Sequence, residues 1–415
     1  MKNIFKYPII LILLLGNSVL SQDSLNQYLT VAAENNPGLK ASYFEYQAAL
    51  EKVPQVGTLP DPQVSFGYFI QPVETRLGPQ QARISVIQKF PWFGTLGAQK
   101  NVAAQQAKAK FEQVEETKYR LFYEVRAHYF KLYFIKRNIT VIDENLTLLQ
   151  SIKMLVQSEI ITGKASVADE ILLEIEFGDL QNERQKFLDL YQAEQAKFKN
   201  LLNVNRNYLV VLPDSLENRN LSLSPEEIVE KIRSENPQLL QYDYLHESFV
   251  EKENLAGKSG LPQFSLGLDY IFVGKRDDGA LLGEENGRDA FLFPMLSFSL
   301  PIYRGKYSGQ SHEARYMQQS NQQRKLESLN KFESFLEESL WRYRDADRRI
   351  DLYRKQQALA RKALRIMKAD YQKQHKSLED LLRMETKVIN YTLAVEKALV
   401  DKRTEIAFIN YLMGQ

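Results

Sequence analysis

The chain has 415 residues, 54 Lys and Arg against 52 Asp and Glu, and no cysteine. So small a net charge offers no electrostatic footprint for nucleic acid. Without cysteine there is no disulfide framework, no thiolate metal site and no lipid-modified N-terminal cysteine.

At the N-terminus, Lys2 and Lys6 precede an apolar run from Ile9 to Leu15, and Val19-Leu20-Ser21 lead into Gln22. A basic flank, a short apolar run and small residues are the pattern of a cleaved export signal, assigned to residues 1–21; the run is too short to span a bilayer as a helix. The next element is a helix from Asp23 to about Gly57. A hairpin over 62–91 follows, in which Val64, Phe66, Tyr68 and Ile70 alternate with Gln63, Ser65 and Gly67. Its return strand runs from Arg83 to Phe90. A proline-free tract then predicts one long helix over 94–160, and a turn at Thr162-Gly163-Lys164 leads to a helix over 166–203.

The second half repeats this plan: a helix over 224–257, a hairpin over 262–301, a long helix over 305–373 and a helix over 377–413. In its hairpin Phe264, Leu266, Leu268, Tyr270 and Phe272 oppose Gln263, Ser265, Gly267 and Asp269, and on the return strand Leu296, Phe298 and Leu300 oppose Ser297 and Ser299. Local anchors recur in one order. Asn36-Pro37 returns as Asn236-Pro237, Pro62-Gln63-x-Ser65-x-Gly67 as Pro262-Gln263-x-Ser265-x-Gly267, and Ser166-x-x-Asp169 with Glu174 as Ser377-x-x-Asp380 with Glu385. Residues 22–215 and 216–415 therefore read as two copies of one unit.

The long tracts carry apolar residues at alternating three- and four-residue steps, among them Leu132, Ile135, Ile139, Ile142, Leu146 and Leu149. This is the pattern of left-handed coiled-coil packing. In each copy the two short helices together match the long one, which predicts short helices stacked end to end beside a long one, and a rod of about 100 Å at 1.5 Å per residue. The alternating segments, each with one wholly apolar face, fit strands of a membrane barrel with lipid outside and water inside. Four strands cannot close a barrel, and open edges in hydrocarbon leave backbone groups unpaired, so the chain must assemble with copies of itself. The pattern leaves the number of copies open.

Taken together, the duplicated helix–hairpin–helix plan, Leu59-Pro-Asp-Pro-Gln63, the Phe90-Pro-Trp-Phe-Gly94 corner, the Leu300-Pro-Ile-Tyr-x-Gly305 corner and Gly163-x-x-Ser166-x-x-Asp169 resemble the TolC-type outer membrane efflux proteins. The resemblance covers essentially the whole mature chain. It implies a mainly α fold with a membrane β-barrel portion: a homotrimer with a twelve-stranded outer-membrane barrel on a periplasmic helical tunnel. It further implies an exit duct of a tripartite efflux pump or type I secretion system, working with a periplasmic adaptor and an inner-membrane transporter, with overall similarity leaning to the resistance-nodulation-division type. The alternative is a soluble periplasmic coiled-coil adaptor or scaffold.

On this reading the lipid-facing residues are Val64, Phe66, Tyr68, Ile70, Phe264, Leu266, Leu268, Tyr270, Leu296 and Phe298. Pro91, Trp92, Gly94, Pro301 and Gly305 mark the strand–helix corners, and Phe90, Trp92, Phe93 and Tyr303 are candidates for an aromatic girdle. The loop from Gly274 to Arg288, rich in glycine, reads as a mobile lid or as a plain exposed loop. The periplasmic entrance falls at Thr162, Gly163, Lys164, Ser166, Asp169, His375, Lys376, Ser377, Asp380 and Arg383. The family often carries an aspartate three residues after the tip Ser or Thr, as Asp380 and Asp169 do, and in some members a second one three residues later. Here that second position is Arg383 in one copy and Leu172 in the other, so either any ring is thinner or Arg383 pairs with Asp380 at i,i+3; both aspartates also suit simple complementation of a helix start. No catalytic motif or cofactor signature is present; Glu124 and His128 stand i,i+4 without a second pair, and His128 reads as a packed histidine.

Overall fold

The computed structural model describes residues 20–277, 286–372 and 377–415. Positions 1–19 of the expected export signal (1–21), the centre of the second hairpin loop and positions 373–376, including His375 and Lys376, lie outside the described residues. The element order runs twice through two helices, two strands and two helices. The first copy holds α1 (Leu20–Asn35), α2 (Pro37–Val56), β1 (Gln63–Val73), β2 (Gln80–Phe90), α3 (Thr95–Ile161) and α4 (Val167–Leu202). The second holds α5 (Pro225–Glu235), α6 (Pro237–Ser259), β3 (Gln263–Val273), β4 (Ala290–Ser299), α7 (Arg304–Gln372) and α8 (Leu378–Leu412).

Each copy opens with two helices where one is expected from the sequence. The break falls at the Asn-Pro pair, because proline has no N–H for the preceding turn and the asparagine caps the helix that follows. Asn36 Oδ1 accepts from the N–H groups of Gly38 and Leu39 at 2.9 and 3.1 Å, and Asn236 Oδ1 from those of Gln238 and Leu239 at 3.0 and 3.2 Å. Asn36 Nδ2 also donates to Leu201 O at 3.0 Å, and Asn203 Nδ2 to Asn35 O at 3.1 Å, so the α1–α2 junction is tied to the end of α4.

Two compact units cut across the sequence copies. One comprises Thr117–Ile232 and Phe332–Gln415 with the N-terminal residues through Lys40; the other comprises Ala41–Glu116 and Arg233–Lys331. In the first, α3 and α4 run antiparallel: Asp143, Lys153 and Gln157 on α3 meet Arg184, Glu174 and Glu170 on α4, so each step down one helix matches an equal step up the other. Likewise Arg349 and Gln357 of α7 meet Asp401 and Thr392 of α8. Arg137 of α3 reaches Glu396 of α8 at 3.2 Å, joining the two pairs.

The second unit holds one antiparallel sheet in the order β1-β2-β3-β4. Its central pairing, β2 with β3, joins the hairpins of the two copies. No described helix is long and apolar enough to cross a membrane.

Candidate functional site

Strand register decides which side chains share a face. Val64 pairs with Val86, Leu268 and Pro294 across the sheet, Gln88 with Leu266 and Leu296, and Phe90 with Phe264 and Phe298. Phe66, Ile84 and Tyr270 complete the same face. It is apolar but for Gln88 and open to its surroundings, with Val64 70% and Leu268 49% exposed. Nine of the ten residues read as lipid-facing therefore share this face; Ile70 falls in the irregular stretch of β1 between Tyr68 and Val73.

Its opposite face is mostly polar, with Ile87, Ile271 and Met295 among serines and charged residues. Ser65 stands across from Ser85, and Ser85 across from Asp269. Arg83 bridges to Asp269 and donates from Nε to Ser85 Oγ at 3.1 Å. Arg83 and Asp269 lie too far apart in sequence for their pairing to be read, although both fall at polar-face positions of their strands.

At the helix-proximal end of the sheet Phe90 stacks on Phe264 with ring centres 5.2 Å apart, and Phe93 lies 6.0 Å from Phe264. Gly94, at φ +78°, turns the chain into α3. The second corner differs. Gly305 lies inside the first turn of α7, and the turn is made by Ile302 and Arg304 N–H groups bonding back to Leu300 and Ile302 carbonyls. Phe93, Ile302 and Tyr303 are strongly exposed at these corners.

At the far end the two hairpin loops dock on each other. Gly274 N–H donates to Pro79 O at 2.7 Å, Gly287 N–H to Leu77 O at 2.8 Å, and Arg276 Nη1 to Thr75 O at 3.2 Å. The described base of the long loop is thus fastened to the short loop, a restraint that the glycine-rich composition does not reveal. Gly78 makes the approach possible: its φ is +131°, and a Cβ there would stand 1.9 Å from Gly274 O. Gly78→Ala is expected to cost about 2 kcal/mol or more in local docking. Trypsin cleavage after Arg276 should then speed up several-fold, and an unchanged rate would show that the loops are not docked.

The helical tip is built by caps. Gly163, at φ +71°, donates its N–H to Ile160 O at 3.0 Å and Lys164 donates to Glu159 O at 2.8 Å, a Schellman closure of α3. Thr162 Oγ1 donates to Glu159 O at 3.0 Å. Ser166 and Asp169 form a reciprocal capping box, with Asp169 N–H on Ser166 Oγ at 3.2 Å and Ser166 N–H on Asp169 Oδ2 at 3.0 Å. Ser377 Oγ accepts from Asp380 N–H at 3.2 Å. Arg383 pairs with Glu379, at 2.7 Å, and not with Asp380 as the three-residue spacing suggested. The i,i+4 arrangement with the acid on the N-terminal side is the better geometry for a long guanidinium side chain.

Behind the caps the four helices share an apolar core: Val156 and Ile152 of α3, Leu173 of α4 and Leu378, Leu381 and Leu382 of α8, with Leu364, Met367 and Tyr371 of α7 packed against it. Tyr371 Oη donates to Glu159 Oε2 at 3.2 Å. Burial and the Glu159 carboxylate push the Tyr371 phenol up to about 12, so it remains a donor throughout the physiological range.

His128 contacts the buried carboxylate of Glu194 on α4, which Lys131 also holds at 2.8 Å. Burial alone would raise that carboxyl, but hydrogen bonds from Lys131 and His128 outweigh it and hold it below the usual range. No group of three or more metal-ligating side chains occurs among the described residues.

No family model and no curated protein matches this chain. Solved structures do. VceC, an outer membrane protein of Vibrio cholerae, aligns at 14% identity and a TM-score of 0.73 over 94% of this chain and 96% of its own. The Campylobacter jejuni CmeC outer membrane channel aligns at 14% and 0.73 over 94% and 86%, and the open state of the Neisseria gonorrhoeae MtrE outer membrane channel at 15% and 0.75 over 94% and 89%. Likeness at such identities establishes the fold, which is that of TolC-type outer membrane channels.

Proposed function

We propose that this chain, having the fold of outer membrane channels, is one subunit of an outer-membrane exit duct that passively conducts substrates delivered by a periplasmic adaptor and an inner-membrane transporter. The observation that carries this reading is the sheet. Its apolar face is exposed across all four strands, and β1 and β4 are its edges. Hydrocarbon does not tolerate open edges, so neighbouring copies must join β4 to β1; three copies give twelve strands, within the range of known barrels.

The helices support the same ring. Val167, Ile171 and Ile175 form an exposed apolar row on α4, and Leu352, Leu359 and Ile366 form another on α7. Arg348, Lys355 and Lys362 interleave the α7 row, while Glu174 and Asp179 flank the α4 row. Apolar rows with opposite flanking charge suit packing of α7 on α4 of the next copy. At the tip, the entrance would meet the adaptor, and the overall resemblance favours a transporter of the resistance-nodulation-division type. A soluble scaffold would instead leave the entire apolar sheet face in water, a patch that soluble monomers rarely show.

The chain has no native cysteine, so introduced pairs report cleanly. Ile175 and Ile366 each lie roughly 10–14 Å above the tip turns at 1.5 Å per residue. Oxidation of the Ile175→Cys, Ile366→Cys double variant is expected to give disulfide-linked dimers and trimers in the outer-membrane fraction. Monomers alone, or a wild-type chain recovered in the soluble periplasm, would overturn the reading.

A further inference from the structure

Glu174 and Glu385 hold the same place in the two copies, in the third helical turn after Ser166 and Ser377. Their surroundings differ. Glu174 is exposed and pairs with Lys153 Nζ of α3 at 2.8 Å. On the other pair of helices, one heptad step toward the tip from the Gln357–Thr392 hydrogen bond brings Leu364 opposite Glu385. The cation is replaced by an apolar side chain that packs against the tip core.

Glu385 is 4% exposed, and its Oε2 has no hydrogen-bond partner. Leu378, Leu381 and Leu382 precede it on α8 and lie in the core. The charged groups that reach it are Lys368 of α7 and Glu176 of α4. From α3 the core receives Leu149, Ile152 and Val156, while the Lys153 ammonium is engaged by Glu174. A carboxyl held this way is stable when neutral and strained when ionised. Burial pushes it up to about 7, against the pull of Lys368 and with a further push from Glu176.

We propose that Glu385 is a proton-operated latch on the α7/α8 side of the tip: neutral, it lets α8 seat in the shared core; ionised, it draws in water and frees the first turns of α8. The latch regulates the entrance of the duct and so rests on that reading. Its sign follows from the raised value. The seated state is fully favoured below about 4.5, the ordinary value for this carboxyl. The ratio of seated to freed α8 then falls by up to about tenfold per pH unit until about 7 and is level above it. Acid fastens the tip, and neutral to alkaline pH loosens it.

The test uses the full chain in detergent and in planar bilayers, from pH 5 to 8, comparing wild type, Glu385→Gln, Glu385→Leu and the exposed counterpart Glu174→Gln. Amide exchange over residues 378–390, corrected for intrinsic rate, is expected to show protection lost by at least tenfold as pH rises in wild type and in Glu174→Gln. In both Glu385 variants protection should stay at its acid level. Conductance should rise over the same interval in wild type and stay flat in the Glu385 variants. A wild-type exchange profile that persists in Glu385→Gln, or none in wild type, overturns the latch. A latch seen in exchange with no channel formed at any pH would leave it standing and sink the duct.

Discussion

Leu268→Arg is expected to abolish assembly of the protein in the outer membrane. Leu268 sits on β3 between Val86 and Pro294 in register, on the face shared by Leu266, Leu296 and Phe298. An arginine near the bilayer midplane costs about 2–4 kcal/mol on a lipid-facing strand position, and a ring of copies incurs that cost once per chain. The paired control is Ser265→Arg, three residues earlier on the opposite, polar face, where Lys89 already stands across from it. A charge there meets water and should leave assembly near wild type. The readout is the amount of SDS-resistant oligomer in the outer-membrane fraction. Normal assembly of Leu268→Arg, or equal loss in both variants, would mean that the two faces have been assigned wrongly.

Lys402→Ala should produce the largest loss of stability of any single charge removal in the first unit, about 3 kcal/mol. Lys402 is 1% exposed, and its ammonium donates to Asp347 at 2.6 Å, to Asn220 at 2.6 Å and to Asn218 at 2.8 Å, above the Tyr343 ring. Asn218 and Asn220 belong to the segment between α4 and α5, so one buried cation anchors the connection between the two sequence copies onto α7 and α8. Removing it strands the carbonyl oxygens of two asparagines and one carboxylate. Asp347→Asn should cost less, since the new amide oxygen can still accept from the ammonium and Asn218 and Asn220 keep holding it. Thermal unfolding in detergent orders the three proteins; Asp347→Asn falling as far as Lys402→Ala would show that the ion pair, and not the anchoring of the connection, carries the stability.

Most of the architecture is legible because its signals are local. Alternation with period two marks β1 to β4, the three-four spacing marks the long α3 and α7, and Ser166 and Ser377 mark the starts of α4 and α8 that the caps reproduce. The Asn-Pro pairs were equally local. They anchor the duplication, and each asparagine also caps the helix that follows it. Arg383 illustrates a different limit: Glu379 and Asp380 are both within reach on one helix, and the i,i+4 partner wins over the i,i+3 one.

What the sequence by itself determined is therefore the duplication, the kinds of element and which face of each strand is apolar, since backbone periodicity requires only neighbours in the chain. The tertiary structure alone decided which polar groups lose their water. Arg83 meets Asp269, and Lys402 meets the connection between the copies, across separations that no spacing rule spans. Glu174 and Glu385 read alike in their copies, yet one keeps its water beside Lys153 and the other is enclosed opposite Leu364. Desolvation depends on everything that packs around a group, so it appears only once four helices from two distant parts of the chain share a core.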